Sequence, residues 1–98
     1  MLMTYNQIVQ WTNRGYAQNG REEQERQILT EIHEDWYTNI INDLSKNSPW
    51  PEVKEMAKEF VGHDLNNLSS SDIYKLYIIL VAANELVGPS HLEDWPPD

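Results

Sequence analysis

The groups able to do chemistry in this 98-residue chain are carboxylates and three histidines, because it contains no cysteine. A thiol nucleophile, a thiolate zinc site and a disulfide framework are thereby excluded. The densest ionisable cluster is Glu31, His33, Glu34 and Asp35. Glu31 with Glu34, and Glu52 with Glu55, form two E-x-x-E pairs, a spacing that places both carboxylates of a pair on one side of a helix. Carboxylates so placed on two facing helices can hold a hard divalent cation. His33 lies between Leu29 and Tyr37 on an apolar stripe, where it could serve as a buried acid or base; with no nucleophile beside it in sequence, a hydrogen-bonded core histidine is the simpler expectation. Glu59 and His63 have i, i+4 spacing, but Gly62 intervenes and puts His63 past the helix end, and His91 has no evident companion.

The two E-x-x-E pairs resemble the magnesium site of all-α nucleoside triphosphate pyrophosphohydrolases of the MazG and dUTPase type, to which this chain is similar in length and helix content. The resemblance implies magnesium-dependent hydrolysis of a nucleoside triphosphate. In that family the second pair ends in Asp, where this chain has Glu55, and Pro49 and Pro51 stand between the pairs. Helical wheels place Glu31 and Glu34 off the Ile28–Ile32–Trp36 stripe, and Glu52, Glu55 and Glu59 opposite Val53, Met56 and Phe60. Ligands of a metal between helices face the bundle interior. The expectation is therefore a solvated acidic face, with no catalytic residue, metal or cofactor.

Thr4 and Gln7 have capping-box spacing, so a first helix begins there, with Tyr5, Ile8, Val9, Thr12 and Tyr16 on one face and Trp11 nearly opposite. The stretch Gly15 to Gly20 should end it. Residues 21–46 contain no Pro or Gly and predict one long helix whose stripe is Ile28, Leu29, Ile32, Trp36, Tyr37, Ile40, Ile41 and Leu44. Asn47 to Pro51 breaks it, with Ser48 as cap and Pro49 in the first turn of the next helix. That helix buries Val53, Met56, Ala57, Phe60 and Val61 and stops at a left-handed Gly62. Ser69 with Asp72 forms a second capping box, and Leu68 with Ile73 a hydrophobic staple. Leu76 to Ala83 is apolar all round, which suits a helix in the middle of a bundle, and Gly88-Pro89 stops it. The expected fold is all-α, a compact bundle of about four helices with a central apolar C-terminal helix. Residues 1–89 form a single helical domain, and 90–98 an acidic tail containing Pro and Trp.

At 40% hydrophobic and 23% charged the composition is that of a globular domain. The first residues lack the basic and apolar regions of a secretory signal, and the apolar run 73–87, broken by Lys75, Asn84 and Glu85, is shorter than a membrane span. A cytoplasmic location is expected. A formal charge of −9 disfavours direct binding to nucleic acid or to anionic membrane surfaces. Four Trp and five Tyr against one Phe suggest an interface, since Trp and Tyr combine apolar area with a polar handle. Trp11, off its apolar face, and Trp95, in the tail, are the candidate exposed anchors, with Glu31, Glu34 and Asp35 the candidate charged contacts. These features point to a noncatalytic acidic protein of the inhibitor, antitoxin, immunity or phage-encoded antagonist type. It would cover a basic surface of a partner protein, in one form as a nucleic-acid mimic. Besides the pyrophosphohydrolase, the other alternative is a self-associating structural subunit, a homodimer burying the wide stripe of the long helix.

Overall fold

The computed structural model describes residues 3–32, 34–63 and 68–87, apart from the side chains of Glu31, Glu34, Trp36 and Val87. These residues form five helices and, among them, no strand: α1 (Tyr5–Asn19), α2 (Arg21–Glu31), α3 (Glu34–Asn47), α4 (Pro51–Phe60) and α5 (Ser70–Val87). The chain is all-helical as expected, but with five helices in place of four. The boundary between the helical domain and the tail at 90–98 lies outside the described residues.

Helix starts follow their caps. Thr4 accepts from the Gln7 N–H while the Gln7 side chain accepts from the Thr4 N–H, so the capping box at α1 is complete. Ser69 and Asp72 exchange the same pair of bonds at the start of α5. At α4 the start is two residues later than the sequence suggests. Trp50 is the N-cap and Pro51 opens the helix, while Ser48 Oγ accepts from the Trp50 N–H and donates to the Trp50 carbonyl. Ser48 thus closes a turn before the helix, and Pro51, with its fixed φ, takes the position assigned to Pro49. Gly62 has φ 77° just past the end of α4, the left-handed conformation expected of it.

The single long helix expected over 21–46 is two. Ile32 adopts an extended conformation (φ −82°, ψ 126°) and separates α2 from α3. A straight helix over that stretch would run about 39 Å, whereas the 18 residues of α5 span about 27 Å, so it would overhang the core it must cover. Thr30 also turns its hydroxyl back onto the Arg26 carbonyl at 2.8 Å, a bond that bends helices. With the break, Ile28, Tyr37, Ile41 and Leu44 are buried, but Leu29, expected in the stripe, is 46% exposed. Of the wide stripe proposed for self-association, Ile28, Tyr37, Ile41 and Leu44 are covered within the chain, Ile32 and Ile40 are partly covered, and Leu29 is exposed.

α5 is the centre. Ile73 and every residue from Leu76 to Ala83 are buried, and all four other helices pack on it. Each fully buried Leu or Ile stabilises the fold by about 2 kcal/mol. α3 and α4 pack most extensively on each other, and α1 folds back on α2 through Gly20, whose φ of 83° a side chain would oppose. Met3 ties the start of α4 to the end of α5: its carbonyl accepts from the Trp50 indole N–H at 2.8 Å, and its N–H donates to Glu85 Oε1 at 3.0 Å.

α1 does not end at Gly15. It continues to Asn19, and Gly15 is buried facing Tyr77 of α5. A Cβ there would stand 2.8 Å from the Tyr77 hydroxyl and 3.5 Å from Gln24. Gly15→Ala gains about 1 kcal/mol of helix propensity but overpacks by more. It should therefore destabilise by roughly 1 kcal/mol in chemical denaturation. In a Tyr77→Phe background, which removes the clashing oxygen, the same change should become neutral or stabilising.

Candidate functional site

The structure disperses the residues singled out from the sequence. Glu31 closes α2 and Glu34 opens α3, so this E-x-x-E pair does not share a helix. Their side chains, like His33, Trp95 and His91, lie outside the described residues. Asp35 is exposed on the first turn of α3. Glu52, Glu55 and Glu59 are exposed on the face of α4 opposite Val53, Ala57 and Phe60, as the wheel required. Among the described residues, no three His, Asp or Glu side chains come together in a way that could hold a metal ion. His63 lies past the end of α4, edge-on to Phe60 with ring centroids 5.9 Å apart.

Trp11 is not the freely exposed anchor that its position on the wheel implied. It is half buried against the core, with its indole nitrogen enclosed and the Arg14 guanidinium 5.3 Å from the ring centroid. The helix leaves its apolar face wide enough to draw this ring in at the edge, which a wheel drawn for an isolated helix does not show. Trp50, the N-cap of α4, is 6% exposed, and Tyr37, on the stripe of α3, 4%.

The unforeseen feature is a polar seam inside the helical core. Gln24 is 1% exposed, accepts from Asn19 Nδ2 at 2.9 Å, and lies beside the Tyr77 hydroxyl. Tyr16 lies between Tyr74 and Tyr77, with ring centroids 5.4 and 5.8 Å away. One sequence signal was available: Ile8, Thr12, Gly15 and Asn19 recur at three- and four-residue steps, a face that narrows to small residues where another helix approaches. Nothing distinguished Gln24 from its charged neighbours in Arg21-Glu22-Glu23-Gln24-Glu25-Arg26.

Burial pushes the hydroxyls of Tyr16 and Tyr77 up to about 12, with Glu25 near the first and Tyr16 near the second adding to the effect. Tyr5 and Tyr37 are raised for the same primary reason, with Glu52 and Asp72 as their respective charged neighbours. Asp72 is held below the usual carboxylate range by the Ser69 backbone N–H and hydroxyl. Among the described residues these shifts lead away from neutrality, whereas general acid–base catalysis favours groups titrating near it. An open groove beside α2 is bordered by Arg21, Glu22, Arg26 and Leu29, but both arginines are engaged by glutamates of their own helix, Glu25 and Glu23.

No protein family, curated protein or solved structure matches the chain. No helix of the described residues is long and apolar enough to cross a membrane.

Because Tyr16 and Tyr77 hold their protons more tightly when folded, the native state gains stability that is complete below the unfolded value of 10.0 and is lost as pH rises toward about 12. An alkaline titration should show helix loss in far-ultraviolet circular dichroism between these limits, together with the late fraction of tyrosinate absorbance. Ionisation of all five tyrosines near pH 10 with the helices intact would contradict the buried seam.

Proposed function

We propose that this chain is a noncatalytic, acidic protein-binding protein, working in the cytoplasm, that covers a basic surface of a partner protein. The observation that supports this best is a set of exposed carboxylates without an ion-pair partner among the described residues. Glu22, Asp35, Asp43 and Glu52 stand on α2, α3 and α4 with no ion pair among the described residues. With a formal charge of −9, such groups create a field that steers a cationic partner and fixes its orientation. Removing them costs the fold little, since surface charges of this kind contribute at most about 1 kcal/mol each.

A protein surface suits this pattern better than a nucleic-acid mimic. Arg21 pairs with Glu25, Arg26 with Glu23, Lys58 with Glu55 and Lys75 with Glu59, so basic groups interrupt the acidic faces at short intervals. A mimic of a phosphate backbone needs longer runs of one sign.

The test is a pull-down with the tagged full chain at low and high salt, beside a variant carrying Glu22→Gln, Asp35→Asn and Asp43→Asn. A partner with a basic surface should be retained at low salt, released at high salt, and associate roughly tenfold more slowly with the variant. A complex indifferent to both salt and charge removal, or no partner at either salt, would refute the proposal.

A further inference from the structure

The five helices divide into two bodies that meet on one helix. α1 and α2 pack on each other and on α5, α3 and α4 pack on each other and on α5, and among the described residues the two pairs otherwise barely touch. The arm that carries α1 and α2 buries Ile8 and Ile28 completely and turns Gly15 toward Tyr77 of α5. Asn13 Oδ1 accepts from the Tyr74 hydroxyl, the Tyr16 and Tyr74 rings meet edge to face, and Met3 bonds Trp50 and Glu85.

The covalent link between the two bodies runs through Ile32, whose extended backbone ends α2 one turn of sequence before α3 is under way. The local sequence favours no break there. Residues 21–46 hold no Pro or Gly, and Ile28, Ile32, Trp36, Ile40 and Leu44 recur through it at unbroken four-residue steps. The last turn of α2 has no basic residue to meet its dipole, and its C-cap is an isoleucine rather than a left-handed glycine. A break also creates two helix ends, whose backbone groups lose the intrahelical partners that a continuous helix would supply.

Straightening at Ile32 would bring α2 into line with α3 and lift α1 and α2 from the α5 that they now cover. A lifted arm returns Ile8 and Ile28 to water together with the face of α5 that held them, and the surfaces complementary to both exist on a second copy of the chain. We propose that this chain forms an arm-exchanged dimer, in which residues 21–46 become one helix and α1 and α2 of each copy cover α5 of the other. Each contact between arm and body is remade between copies, and two helix breaks disappear. What is lost is the independence of two chains and the partial cover of Ile32, so the dimer gains as concentration rises. Unlike a dimer built on an exposed stripe, it uses surfaces that the monomer buries, and it stands apart from the binding function proposed above.

The experiment is refolding of the full chain from guanidinium at micromolar and at millimolar concentration, followed by size-exclusion chromatography with light scattering. A monomer should appear at the lower concentration and a dimer at the higher. Ile32→Ala and Ile32→Gly both remove the partly buried side chain and differ in helix preference, so comparing them isolates the hinge. The alanine variant should dimerise roughly thirtyfold more tightly than the glycine variant, a factor of about five at each of two hinges. Refolding a mixture of isotope-labelled and unlabelled chains then locates the arm. An isotope-filtered NOE spectrum of the dimer should join the Tyr16 ring of one chain to the Tyr74 ring of the other, a pair with centroids 5.4 Å apart. A wild-type chain that stays monomeric at both concentrations, equal dimerisation of the two variants, or a dimer lacking that contact between chains would overturn the proposal.

Discussion

Everything in this fold answers to the need to cover α5 on all sides. A helix with one apolar face is satisfied by one neighbour, but Leu76 to Ala83 offer no polar side to water, and each turn left bare would forfeit several kcal/mol of burial. α1, α2, α3 and α4 therefore all dock on it, and their own geometry yields to that demand. Ile32 gives up its helical conformation so that α2 and α3 can each meet the core, and Gly15 gives up a side chain so that α1 can approach Tyr77. The surface carries what the core does not need: carboxylates, ion pairs within and between helices, four of them among the described residues, and half-buried tyrosines.

How much of this was legible from the residues depends on whether the signal was local. Capping boxes at Thr4 and Ser69, the left-handed Gly62 and the all-round apolar run of α5 are written in short stretches and were recovered. The break at Ile32 was not, because no Pro or Gly marks it. The start of α4 was misplaced by two residues because Ser48-Pro49 and Trp50-Pro51 offer the same kind of signal twice, and packing of the Trp50 ring chooses between them.

The site is harder to read than the fold for a related reason. Wheel positions correctly put Glu52, Glu55 and Glu59 in solvent, because a helix's own stripe decides that. They erred on Trp11, where neighbouring helices draw an off-face ring partly inward. They were silent on Gln24, Asn19 and Tyr77, whose association depends on three helices meeting. Tyrosine in place of phenylalanine in this seam carries hydroxyls into a region where each must find a partner or lose hydration, a cost that apolar rings would avoid.

The placement of the central helix after its four partners has a kinetic consequence. A chain emerging from the ribosome presents the residues of α1 to α4 before it supplies the element they share. Ile8, Ile28, Ile41, Val53 and Phe60 must then wait with their apolar faces turned toward a core that does not yet exist. Local pairs such as α1 with α2 and α3 with α4 can form early, but the core they share is complete only with Ile73 to Ala83. During synthesis the pairs α1 with α2 and α3 with α4 thus have no shared core until α5 follows them.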